Sequence, residues 1–335
     1  MKKYVNLFVF VFMIGACLSQ GRAQTKSAVS YKNPVVDIAM PDPTVIKATD
    51  GYFYVYATES TRNVPIMKSK DLVEWTYCNT AFTNKTRPRF EPKAGIWAPD
   101  INYINGKYVL YYAMSVWGGE QTCGIGVATA NSPQGPFTDH GKMFRSNEIG
   151  VQNSIDPSLL QYEGRNYLVW GSFRGIYVIE LTADGLSIMS GAKKKRIAGT
   201  AFEAVYIHKH GDYYYMFASI GSCCQGVKST YKVVVGRSKK VWGPYKDKTG
   251  KPMLKNGYSL VIGANDHFVG NGHGSQIIQD DAGQDWLLYH GFSRSTPENG
   301  RILLLDQIKW DQEGWPYVEG GSPSYETQKA PVFNN

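Results

Sequence analysis

Five side chains stand out for what they could do chemically: Asp42, Asp100, Asp156, Glu203 and His273. Each opens a phrase built the same way, with an acidic or imidazole residue, a short alternating strand, a Gly-centred turn, and a second strand rich in Tyr and Val. One copy reads Asp42-Pro43-Thr44-Val45-Ile46 with Gly51-Tyr52-Phe53-Tyr54, and another Asp156-Pro157-Ser158-Leu159-Leu160 with Gly164-Arg165-Asn166-Tyr167. Glu203-Ala204-Val205-Tyr206-Ile207 with Gly211-Asp212-Tyr213-Tyr214 repeats the pattern. Carboxyl groups gathered in one place push one another's pKa upward, an arrangement that serves acid–base catalysis or a cation and is otherwise unfavourable. For any single acid the plainer reading is a strand-start residue that satisfies a turn; recurrence at equivalent positions weakens that reading for the set.

The phrase recurs at intervals of about 50 to 70 residues, the length of one propeller blade with loop insertions. Five copies predict an all-β, five-bladed β-propeller over residues 33–335. Each Gly turn would join two antiparallel strands, and Tyr/Val alternation would give each strand faces that pack on neighbouring blades. The innermost strand of every blade begins at the same end of the central channel. The five residues should therefore face one another around one mouth, which is where the active site is expected. A second phrase, seen at Ser69-Lys70-Asp71-Leu72-Val73-Glu74-Trp75, Ser132-Pro133-Gln134-Gly135-Pro136-Phe137 and Ser238 to Tyr245, reads as outer-strand turns.

Composition agrees. Hydrophobic residues make up 43% of the 335 and charged residues only 19%, so the chain can bury a core and is not a solvating tail. The formal charge is +8, but Lys2, Lys3 and Arg22 fall in an export segment, and Lys193-Lys194-Lys195-Arg196 reads as a solvated strand or turn. With no dense basic stripe, nucleic acid is not expected as a partner. The apolar run Leu7 to Ile14 is too short to span a bilayer. With Lys2-Lys3 before it and Gly15-Ala16 after it, it has the order of a secretory signal. Residues 1–23 are read as that signal and 24–32 as a linker; Ile14-Gly15-Ala16-Cys17 equally suits a lipoprotein signal ending before Cys17. Either way the protein is exported, to the periplasm, the medium or a lipid anchor at the cell surface. Cys78, Cys123, Cys223 and Cys224 are expected as buried thiols or one bridge, since the adjacent pair does not match a structural zinc spacing. Nothing signals an oligomer, so a monomer is expected.

The motifs Pro41-Asp42-Pro43-Thr44-Val45, Gly95-Ile96-Trp97-Ala98-Pro99-Asp100, Asn153-Ser154-Ile155-Asp156-Pro157, Phe202-Glu203-Ala204 and Gly272-His273-Gly274 resemble glycoside hydrolase family 43, from about Asn33 to about Tyr325. Ala218-Ser219-Ile220-Gly221-Ser222-Cys223-Cys224-Gln225-Gly226, followed by Ser229-Thr230-Tyr231-Lys232-Val233, looks most like its arabinan-degrading branch. The resemblance implies an inverting hydrolase of plant cell-wall polysaccharide, arabinan or a related pentose polymer, cutting α-1,5 linkages within the chain. Asp42 would be the general base, Glu203 the general acid, and Asp156 the residue that orients the acid and raises its pKa. Trp97 would be a sugar-stacking wall or else a core residue between blades. Trp117 would be a rim aromatic, and Asn153 and Ser172 would bond sugar hydroxyls. His273 would contact a calcium or similar hard cation in the channel, a reading that only the resemblance supports. Two departures matter: Asn271-Gly272-His273-Gly274 stands where Pro-Gly-His-Asn is common, and Arg174 could shape one end of the groove. The competing readings are an exo-acting α-L-arabinofuranosidase or β-xylosidase, and a non-catalytic glycan-binding propeller.

Overall fold

The computed structural model describes residues 1, 30–59 and 63–334. The expected signal and the Cys17 lipidation site lie outside the described residues. Five antiparallel sheets follow one another along the chain as the blades of a β-propeller. The first blade comprises Thr44–Lys47, Phe53–Tyr56, Pro65–Ser69 and Thr76–Thr80. Gly95–Ile104, Lys107–Ser115, Gly124–Ala130 and Thr138–Arg145 form the second, and Ser158–Tyr162, Arg165–Trp170, Ile176–Glu180 and Lys195–Ala198 the third. Glu203–His210, Tyr213–Ile220, Lys232–Ser238 and Ser259–Ile262 make the fourth. In the fifth, Phe268–Gly272 and Ile278–Gln279 both pair with Asp285–Ser293, which continues into Ile302–Trp310 and Pro316–Tyr317.

The repeat's glycines are the hinges of this order. In the second blade the turn is Asn105-Gly106, with φ of 50° and 81°, the pair of left-handed residues that a tight hairpin needs and that Asn and Gly tolerate. The apolar faces then pack blade on blade. Tyr54, Tyr56 and Ile66 of the first blade share a core with Leu110, Tyr112 and Ala128 of the second, and Phe217 and Val235 of the fourth meet Leu287, Tyr289 and Leu304 of the fifth. The ring closes where Val45, Phe53 and Val55 of the first blade meet Leu288, Leu303 and Leu305 of the fifth.

That closure extends into residues expected as linker. Ser30–Tyr31 pairs with Gln328–Lys329, and the Tyr31 hydroxyl donates to the Leu305 carbonyl at 2.8 Å. Asn33 adds a bond to the same carbonyl at 2.9 Å. The folded unit therefore includes Ser30 and Tyr31, the latter buried in the seam where the first and last strands meet. Among the described cysteines one bridge is present, between neighbours Cys223 and Cys224, while Cys78 and Cys123 are free thiols.

Candidate active site

The innermost strands share a backbone feature that fixes what points into the mouth. Asp42, Ala98, Asp156, Ala204 and His273 all have left-handed φ, of 53°, 39°, 56°, 53° and 50°. Side chains other than Gly seldom adopt this conformation, and where they do, the surroundings impose it. A Pro follows three of the five, at Pro43, Pro99 and Pro157. These pivots, one per blade, are the true register of the repeat. Asp100 is therefore not the equivalent of Asp42 and Asp156: the pivot of its blade is Ala98, and Asp100 lies two residues further into the channel. Glu203 immediately precedes its own pivot.

Asp42 is held on every side. Arg301 Nη1 donates to its Oδ1 at 2.7 Å and the Thr58 hydroxyl to its Oδ2 at 2.6 Å. The Thr58 oxygen in turn accepts the Ala98 N–H at 2.7 Å. His273 Nδ1 lies 3.2 Å from Oδ1. Burial alone would push this carboxyl up, but the charges of Arg301 and His273 override it and hold Asp42 well below the usual carboxylate range. The Asp42 N–H donates to His290 Nδ1 at 3.0 Å, so that nitrogen is an acceptor. Burial, with Arg301 adding to it, drives His290 to its neutral form.

Glu203 is pushed the other way. Burial raises its pKa; the Ser172 hydroxyl, donating to Oε2 at 2.6 Å, and a bond from Tyr231 partly counter this, and the Asp42 charge adds to the rise. Asp156 is raised too, first by burial, against which His273 acts, and then by the charges of Glu203 and Asp42. Burial rather than the charge of Asp156 is thus the leading reason that the Glu203 pKa is raised. Asp156 reaches the acid through the backbone, its Oδ2 accepting the Ala204 N–H at 3.1 Å. For His273 burial works against a charge, yet Asp42 foremost, then Asp156 and Glu203, raise its pKa.

The other expected contacts divide. Ser172 is 1% exposed and spends its hydroxyl on Glu203, while the Asn153 amide donates to Ser172 Oγ at 2.9 Å and to its carbonyl at 3.1 Å. Both residues are thus engaged, directly or in sequence, on the Glu203 carboxyl. Trp97 is half-buried against Ala113, Cys123 and Ile155, and its ring centroid is 5.5 Å from that of Trp117, which is 78% exposed. Arg174 grips Glu120 through Nε and Nη2 at 3.0 and 2.9 Å, joining the loop that carries Trp117 to the third blade.

Beneath the mouth the channel narrows to a cavity of about 20 Å³ lined by His273, Asp100, Gln276, Thr44, Ser158 and their neighbours. Asp100 raises the question of a cation, since burial lifts its pKa to about 7. Its carboxyl already accepts from Gln276 Nε2 at 2.8 Å, Asn102 Nδ2 at 2.7 Å, the Leu159 N–H at 2.7 Å and Thr44 at 3.5 Å. Calcium takes six to eight oxygen ligands, and the space suits about one water. The space does not fit a hydrated calcium ion, and of the two His273 nitrogens Nδ1 is turned to Asp42.

Sequence reasoning missed Arg301, Thr58, His290 and Tyr231. A signal existed for two of them: His290 interrupts the apolar run Leu287-Leu288-Tyr289, and Tyr231 lies in the Ser229-Thr230-Tyr231 phrase already singled out. Arg301 and Thr58 lie outside any repeated motif.

Residues 31–316 match the glycosyl hydrolases family 43. The chain is 36% identical over 306 residues to an extracellular exo-α-(1→5)-L-arabinofuranosidase of Cellvibrio japonicus, covering 83% of this chain and 86% of the relative. It is also 36% identical over 289 residues to an extracellular endo-α-(1→5)-L-arabinanase of Bacillus subtilis, covering 82% and 86%. Among solved structures, an α-L-arabinanase of Cellvibrio cellulosa complexed with arabinohexaose superposes with a TM-score of 0.77 at 34% identity, covering 86% of this chain and 98% of that one.

Proposed function

The chain belongs to glycosyl hydrolase family 43 and is a glycosidase of the arabinanase and arabinofuranosidase type; from that premise we propose that it is an inverting enzyme that cuts α-1,5-L-arabinofuranosidic linkages within arabinan. The observation that carries the reading is the opposite polarisation of two buried carboxyls in one site. Asp42, held ionised by Arg301, is the general base, and Glu203, whose pKa burial raises, is the general acid.

The chemistry then follows from positions and protons. Asp42 takes a proton from a water molecule as the water oxygen bonds to the anomeric carbon. The bond from that carbon to the leaving oxygen breaks, and Glu203 gives that oxygen its proton. One displacement on the face opposite the leaving group inverts the configuration, which calls for the two carboxyls to stand ~6.5–9.5 Å apart. Asp156 is a positioning residue, fixing the peptide that follows Glu203. Ser172 and Asn153 hold the acid's carboxyl in place. Trp117, with Trp97 behind it, offers an apolar face to a sugar ring at the rim. The names of both curated relatives support an arabinan substrate and an exported enzyme. No helix of the described residues is long and apolar enough to cross a membrane.

Exo action is the second reading, favoured by equal identity to an exo-acting and an endo-acting relative and by the Arg174–Glu120 clamp beside the rim. A product time course on linear arabinan separates the two, with debranched and branched arabinan and xylan in parallel. Mixed oligosaccharides at early times support endo cleavage, and monosaccharide alone supports exo cleavage. Binding without product from any of them would leave a glycan-binding propeller.

A further inference from the structure

At the end of the fourth blade's innermost strand, away from the mouth, lies a cluster that the hydrolytic chemistry does not use. His208 and His210 are two apart on the strand Glu203–His210 and so project to the same side. Asp285, at the start of Asp285–Ser293 in the fifth blade, comes between them, and one ligand atom from each of the three lies within 4.8 Å of the others. Seven residues of extended chain put His210 about 23 Å from Glu203 along the strand.

We propose that His208, His210 and Asp285 form a binding site for a divalent transition ion, zinc by preference, which ties the fourth blade to the fifth at the face opposite the active site. Two imidazole nitrogens and one carboxylate oxygen are the three-protein-ligand set of an open tetrahedral zinc site, its fourth position left to water. Such a set excludes calcium and magnesium, which take oxygen donors. The neighbouring groups are arranged as a supporting layer. Trp310 Nε1 donates to Asp285 Oδ2 at 2.7 Å and Gln279 Nε2 to Oδ1 at 3.2 Å, fixing the carboxylate plane while leaving lone pairs on both oxygens. The Trp310 ring stacks on His210 at 3.7 Å between centroids and 9° between planes, and lies at 22° to His208. Asp285 is 4% exposed, and His210 Nδ1 lies 3.7 Å from its Oδ2. A tetrahedral ion would draw the ligand atoms to about 3.4 Å from one another, a contraction that the half-exposed His210 can supply by rotating.

The test is titration of untagged mature protein, freed of metal by chelation and dialysis, with Zn²⁺ followed by calorimetry and with Co²⁺ followed by visible absorption. One ion per chain is expected, together with the ligand-field bands of a histidine-bound Co²⁺. H210Q and D285N should each weaken binding at least 100-fold, and W310F, which removes only the supporting donor, about 10-fold. Turnover of H210Q on arabinan, measured without added metal, serves as its folding control and should equal wild type. Zn²⁺ should raise the Tm of wild type and leave that of H210Q unchanged. Absence of saturable binding to wild type, or binding that H210Q leaves intact, would overturn the site.

Discussion

Arg301 and Asp42 meet across the seam that closes the ring: Arg301 immediately precedes a strand of the last blade, Asp42 leads into the first, and Nη1 to Oδ1 is 2.7 Å. The guanidinium therefore does two things at once, helping to join the ends of the propeller and keeping a buried carboxyl charged. Arg301→Met should raise the pKa of Asp42, because it removes the positive charge that holds it down. Because the base works only when ionised, the acidic limb of kcat/KM against pH should move upward, with activity lost first at low pH. An unmoved acidic limb would remove Asp42 from the role of base.

Ser172→Ala distinguishes support of the acid from contact with sugar. The serine's bond to Glu203 lowers the acid's pKa, so its loss should raise that pKa further. A general acid works only when protonated, and the alkaline limb of the pH profile should accordingly extend to higher pH, with kcat reduced about 3- to 10-fold. If KM rises instead and the profile keeps its shape, the hydroxyl contacts substrate after all.

Asp42→Asn and Glu203→Gln should each cut kcat by about 10²–10⁴ while far-UV circular dichroism and arabinan binding are retained. Either variant retaining wild-type turnover would refute the assignment made to that residue.

Asp100→Asn tests the register of the repeat. The substitution places an amide donor among four donors and should cost about 1–3 kcal/mol, seen as a lower Tm, while kcat changes less than about 3-fold. A collapse of kcat with Tm unchanged would return Asp100 to the catalytic mouth.

Trp117→Ala should raise KM for long arabino-oligosaccharides about 2- to 10-fold with kcat and Tm unaltered, the value of one aromatic stacking contact at an exposed position. Trp97→Ala, which empties a half-buried site, should lower Tm as well.

The propeller and its mouth were legible in the sequence because a blade must restate its strand–Gly–strand pattern, and Asp42, Asp156, Glu203 and His273 fall within those restatements. The register was not fully legible. Asp100 is an acid in the right phrase, but only the left-handed backbone at Ala98 reveals that the pivot lies two residues earlier. Nor could sequence reasoning foresee the bond from the Ser172 hydroxyl to Glu203, because it joins side chains of neighbouring blades 31 positions apart. Arg301 was invisible for a related reason: it acts across the closure, 259 positions from Asp42 in the chain, and no local pattern encodes such a meeting.

The five left-handed pivots make the mouth a ring of interchangeable sockets. Three carry titratable side chains, at Asp42, Asp156 and His273, and two hold only a methyl, at Ala98 and Ala204. The backbone supplies the aim and the side chain supplies the chemistry, so the two can change independently.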